Sequence, residues 1–205
     1  MFYKIVSVLA KIIGKINWGG NRYKMSSAEL ELIRNMLKDN YYIILTRHKG
    51  HMSTYAISLA HKYLTGNWGH YAHALMNLEG DDVTQDTDYR FIEATGKGVH
   101  YSYFMDVFSC DSVALLKPKT MSIERWSLVL EKLKANLGKP YDTMFNLADD
   151  SSMSCVELIR SALMNEPNYL VDYANFEAMI QSSSNLDPNM FYECPDFTIV
   201  WESRH

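Results

Sequence analysis

Cysteine is sparse in this 205-residue chain, and no two cysteines stand close enough to form a motif. Cys110, Cys155 and Cys194 are odd in number and far apart, and no C-x-x-C pair occurs. That argues against a zinc ribbon and against a disulfide framework, so a reducing compartment is expected. Proline is scarce too, at five residues, which leaves long stretches free to form regular structure. No block of like charge exists. Twenty Lys and Arg face 24 Asp and Glu, for a net charge of −4 and a pI near 6.0. Such a balance leaves no electrostatic footprint for nucleic acid. No apolar run is long enough to span a membrane, and no repeat or low-complexity tract appears. What is present is ordinary globular composition: 47% hydrophobic, 21% charged, and rich in Tyr. The length suits one domain with a full core.

Residues 1–20 read as a unit of their own. Phe2, Ile5, Val6, Leu9, Ile12, Ile13 and Ile16 recur at helical spacing, with Lys4, Ser7, Lys11 and Lys15 between them. The pattern predicts an amphipathic helix with a basic polar face. It lacks the uninterrupted apolar core and the cleavage site of a secretory signal. Two expectations stay open: a helix docked on the domain, or contact with a membrane surface through residues 2–16. Trp18-Gly19-Gly20-Asn21 breaks it, and residues 21–205 are expected to form a single domain.

Along that domain, Ser26 to Glu29 predicts the start of a helix running to about Asp39. Strands are expected at Tyr41–Thr46, Tyr71–Leu78, Tyr89–Ala94, Val99–Tyr103, Ser112–Lys117 and Phe197–Trp201, and a turn at Glu79–Asp82. Ser53–Leu64 and Ser122–Leu137 predict helices, the second ending on Gly138 as its C-cap. Residues 166–195 carry no clear period. Helices, then a run of strands, then helices imply an α+β fold with an antiparallel sheet.

Cys155 lies in Ser151-Ser152-Met153-Ser154-Cys155-Val156-Glu157-Leu158-Ile159. Ser154 and Glu157 form a capping box, which puts Cys155 at the first helical position. The free amides and positive dipole end there stabilise a thiolate, and the same amides can receive an oxyanion. The plain alternative is a small buried side chain under a helix. A thiolate nucleophile needs a base. His73 is the best placed, on a strand whose alternation predicts Tyr71, His73 and Leu75 on one face. His70 is the fallback base. The pairs His48/His51 and His70/His73 lack an acidic third ligand at helical spacing, so no metal and no other cofactor is expected. Glu93, between Ile92 and Ala94, is costly to bury unpaired and is the candidate partner that orients the imidazole. Tyr141 precedes Cys155 and could line the cleft or donate to the oxyanion.

The ordered set resembles a known family. It runs from Ile-Ile-Leu-Thr through the His73 strand, Ile-Glu-Ala and Val-Ala-Leu-Leu to Leu-Gly-Lys-Pro-Tyr-Asp and Ser-Cys-Val-Glu-Leu-Ile. It is similar to the circularly permuted papain-like enzymes related to NlpC-type cell-wall peptidases, most of all their YiiX-like branch. The resemblance covers about residues 40–165. Val156 stands where the family has a small Ser, and Asn40-Tyr41 where it has Gly-Asp. The resemblance implies a permuted papain-like catalytic domain with Cys155 as nucleophile, His73 as base, Glu93 as orienting acid and Tyr141 as the tyrosine upstream of the nucleophile. With Ser154 beside the cleft, it implies a cysteine hydrolase cleaving a peptide, an amino-acid amide or an acyl ester through an acyl-enzyme. A lipid-type thiol acyltransferase and a non-catalytic binding module that keeps the fold are the alternatives. The expected location is cytoplasmic, peripheral to a membrane if residues 2–16 lie on one.

Overall fold

The computed structural model describes residues 24–38, 40–49, 51–78, 90–143, 149–164, 174–182 and 187–204. The amphipathic segment expected over residues 1–20 and the turn expected at Glu79–Asp82 lie outside them.

The element order is α1 (Ser27–Leu37), β1 (Ile43–Arg47), α2 (Met52–Thr65), β2 (His73–Asn77), β3 (Arg90–Thr95), β4 (Gly98–Tyr103), α3 (Phe104–Phe108), β5 (Ser112–Pro118), α4 (Ile123–Ala135), α5 (Cys155–Leu163), α6 (Ala174–Ser182), α7 (Asn189–Glu193) and β6 (Phe197–Arg204). The strands form one six-stranded sheet in the order β4-β3-β2-β1-β5-β6, antiparallel throughout. The expected α+β class with an antiparallel sheet packed against helices is the observed one.

The central strands are apolar along their whole length because both faces of the sheet are covered. Ile43 and Leu45 of β1, Ala74 and Met76 of β2, and Ala114 and Leu116 of β5 face a core completed by Val129 and Leu133 of α4 and by Leu158 and Ile159 of α5. Phe176 of α6 and Phe191 of α7 stack within the same core, ring centroids 4.7 Å apart. Ile44, Leu75, Val113 and Leu115 point the other way, onto Ile33 and Leu37 of α1 and Phe104 and Phe108 of α3. Each fully buried Ile or Leu contributes about 1.5–3 kcal/mol, so two such residues anchor α1 firmly.

Several boundaries differ from expectation. Tyr71 and Leu75 do not share a face: Tyr71 precedes β2 and packs in the α4/α5 core, while Leu75 packs toward α1. Alternation holds only where the chain is a strand, and the strand starts at His73. The first helix stops at Leu37. The C-cap of α4 is Asn136 rather than Gly138. Gly138 still adopts a left-handed φ of 82°, and its N–H donates to the Val99 carbonyl at 2.9 Å. Three helices were not anticipated. α3 and α7 are five residues each, too short to show a period, and α6 lies in the Asn- and Ser-rich tail.

Candidate active site

Cys155 opens α5. Ser154 is the N-cap: its Oγ accepts the Glu157 N–H at 3.3 Å, and the Glu157 carboxylate accepts the Ser154 N–H at 2.7 Å. This is the capping box expected from the sequence. It uses both the hydroxyl and the amide of Ser154, so Ser154 serves the site by fixing where the helix begins. Leu158 N–H donates to the Ser154 carbonyl, as helix geometry requires. The Cys155 and Val156 amides, at the first two helical positions, have no intrahelical acceptor. Glu157 is buried, and burial, followed by repulsion from Asp142, pushes its carboxyl above the ordinary value despite the capping bonds.

The helix packs on β2 and β3 and brings Cys155 to the seam between them. Those strands pair directly only at Met76↔Ile92 and Asn77↔Phe91. His73 and Glu93 both lie beyond that stretch, so ring and carboxylate meet across an open seam. His73 Nε2 is 2.5 Å from Glu93 Oε2. The thiol of Cys155 lies close enough to the ring to act on its charge. His73 is 23% exposed and Glu93 14%, so the ring is the more accessible of the pair.

The electrostatics follow from that arrangement. Burial alone would favour neutral His73. The hydrogen bonds and negative charges of Cys155 and Glu93 outweigh it and raise the imidazole pKa from 6.5 to about 10. Burial likewise opposes the Glu93 carboxylate, but the hydrogen bond and charge of His73 hold its pKa below the ordinary value. At neutral pH the ring is an imidazolium held beside the Glu93 carboxylate.

A second imidazole, His100, sits on β4 directly opposite Glu93 in the ladder. Its Nε2 is 3.4 Å from Glu93 Oε1, and its Nδ1–H donates to the Gly98 carbonyl at 2.9 Å. Sequence reading passed over His100. The signal was there: an alternating strand beside Glu93 places a histidine next to an acid.

Tyr141 is brought in by a bridge to Met153. Met153 N–H donates to the Pro140 carbonyl, and Asp142 N–H to the Met153 carbonyl. Burial, then the nearby charge of Cys155, holds its phenol well above the ordinary value, so it stays a hydrogen-bond donor. The same stretch is tied to β4 by the Val99 N–H donating to the Lys139 carbonyl. Gly98, at φ 90°, permits this: a Cβ there would lie 2.5 Å from that carbonyl oxygen.

The fallback His70 goes elsewhere. It is exposed, its ring meets Tyr192 edge-on, and Asn189 accepts its backbone N–H. His48 and His51 lie against one another, ring centroids 5.5 Å apart. Among the described residues, no group of three or more His, Cys, Asp or Glu is arranged to hold a metal. No described helix is long and apolar enough to cross a membrane.

The protein is thus defined as an α+β chain with an imidazole–carboxylate pair, His73 and Glu93, near a thiol at a helix N-terminus. No family model matches the chain, and no curated protein does. Among solved structures it is similar to the crystal structure of metalloprotein YiiX from Escherichia coli O157:H7. The TM-score is 0.58 at 18% identity, covering 82% of this chain and 99% of that one. At that identity the likeness is one of fold.

Proposed function

We propose that this chain is a thiol hydrolase of permuted papain-like design, cleaving an amide or ester through a covalent acyl-enzyme. The observation that carries the reading is the His73–Glu93 pair, 2.5 Å apart, with His73 held as imidazolium and Cys155 close enough to act on its charge. The Cys155 sulfur adds to the substrate carbonyl carbon as the C=O π pair moves onto oxygen. The amides at the head of α5, with the Tyr141 phenol, would receive that oxyanion. When the C=O bond re-forms and the C–N or C–O bond breaks, the imidazolium of His73 gives its proton to the departing amine or alcohol. His73, now neutral, takes a proton from water as the water oxygen attacks the thioester carbonyl. Collapse of that second intermediate expels the thiolate and frees the carboxylic acid. Glu93 holds the ring orientation and the imidazolium throughout.

The fold neighbour is titled a metalloprotein. The described residues do not fit a metal: no group of three or more His, Cys, Asp or Glu among them is arranged to hold one.

The test is mass spectrometry of the intact chain after mixing with an activated acyl ester and, separately, an acyl amide. The expected result is a transient acyl adduct on Cys155, absent in Cys155→Ala, that accumulates in His73→Ala only slowly. No adduct on Cys155 with either reagent would leave a binding module as the better reading.

A further inference from the structure

α2 is built inside out. Thr54, Ser58 and His61 are buried on its inner side. Ser58 Oγ–H donates to the Gly69 carbonyl, and His61 is fully enclosed between Asp187 and Glu193, 2.9 Å from each. The outer side carries Tyr55, Leu59 and Tyr63, one turn apart, at 49%, 50% and 72% exposure. Trp68, just past the helix, is 54% exposed, and the Lys62 ammonium lies 4.2 Å from its ring centroid. Helices of soluble proteins turn apolar residues inward, so a row of large apolar side chains facing out implies a medium or partner against them.

Charge singles out the partner. From Asn40 to Leu78 the chain contains no Asp or Glu, although it has 24 of them in all. Lys62 of α2 is the exposed cation in that stretch, while Arg47 and Lys49 are half-buried ahead of the helix, beside Asp111. The two acids beneath α2, Asp187 and Glu193, are committed to His61. The face is convex, a helix surface of about 21 Å rather than a groove. Tyr and Trp, with an apolar ring and a polar tip, and a Lys with a long apolar stem are the side chains that settle at a lipid–water boundary.

We propose that the outer face of α2, with Trp68, is a docking surface for an anionic lipid bilayer. α2 leaves the sheet after Arg47 and the chain returns to it at His73, paired with Thr46. A bilayer on this face therefore lies at the end of the sheet that carries His73. Only the link to an acyl substrate rests on the thiol reading; the surface itself does not.

The test is co-sedimentation of the full chain with phosphatidylcholine vesicles, with and without phosphatidylserine. It is run on the unaltered chain, on Cys155→Ala, on Tyr55→Ser/Leu59→Ser, and on Leu32→Ser as an exposed apolar control on α1. The expected result is salt-sensitive binding that needs phosphatidylserine and is kept by Cys155→Ala and Leu32→Ser. In Tyr55→Ser/Leu59→Ser it should fall about tenfold or more, with the melting temperature unchanged. Residues 1–23 are intact in every variant, so undiminished binding in the double variant overturns the proposal. So does failure of the unaltered chain to bind. If sedimentation velocity shows instead that the double variant dissociates an oligomer, the face is a contact between copies and the lipid proposal is wrong.

Discussion

Three thiols with three different surroundings give this chain a built-in comparison. Burial, followed by the charge of Asp111, pushes Cys110 up to about 12, and burial pushes Cys194 up to about 11. Neither forms a thiolate at neutral pH, whereas Cys155 faces the His73 imidazolium. Iodoacetamide at pH 7 should therefore label Cys155 at least about tenfold faster than the other two, and His73→Ala should remove most of that lead. Equal labelling of all three would falsify the nucleophile reading. On the proposed reaction, His73→Ala should slow acylation by about 10²–10⁴-fold, since proton transfer typically contributes that much. Glu93→Gln should cost less, because the amide still accepts from His73 but no longer balances its charge. The pH profile has a definite sign. The rate should fall at high pH as His73 loses its proton near 10. It should fall again in acid as Glu93, held below the ordinary carboxylate value, is finally protonated.

Two short devices hold the elements that carry these groups. The capping box decides that α5 begins at Cys155 and not a residue later. Ser154→Ala should lower unfolding free energy by about 1 kcal/mol and slow Cys155 labelling, because a frayed first turn presents no ordered amides. Glu157→Gln keeps the reciprocal acceptor, and chemical denaturation should show a smaller loss. The second device is the close approach of Gly98 to Lys139, which ties the Tyr141 segment to the strand next to Glu93. Gly98→Ala combines a left-handed φ with a backbone clash. A loss of about 2 kcal/mol or more in denaturant titration is expected, with activity falling more than stability alone explains.

Across the whole molecule, His61 fastens α2 to the tail through Asp187 and Glu193. Burial opposes its charge, but the two carboxylates raise its pKa from 6.5 to about 9. Folding therefore retains a proton that the unfolded chain releases near 6.5. The stabilisation is complete below about 6.5 and is lost as pH climbs through about 9. The gap in unfolding free energy between the unaltered chain and His61→Gln should be widest in mild acid and shrink toward pH 9. A gap independent of pH would show His61 acting by packing alone. How much was legible in the sequence also sorts by scale. The strands were readable because both faces of the sheet are buried, which makes Ile43–Leu45 and Val113–Leu116 conspicuous apolar runs. The start of α5 was readable because caps are local chemistry. His61 and Asn189 were not, because their meaning lies in partners far along the chain: Asp187 for His61, and the Tyr71 backbone for Asn189. Likewise α2 showed only a helical period, which says nothing about which side faces in.

The strand order also bears on how the chain acquires its chemistry during synthesis. β1 lies between β2 and β5, so the centre of the sheet closes only when Ile43 meets Leu116 and Ile44 meets Leu115. Such distant pairings raise contact order and slow folding. α5 is made later still, and its docking on β2 and β3 is what brings Cys155 to His73. A chain emerging from the ribosome thus carries a thiol without its imidazole until nearly the whole sheet has formed. On the proposed reading, activation of Cys155 is a product of completed folding, and an unfolded or truncated copy carries only ordinary thiols.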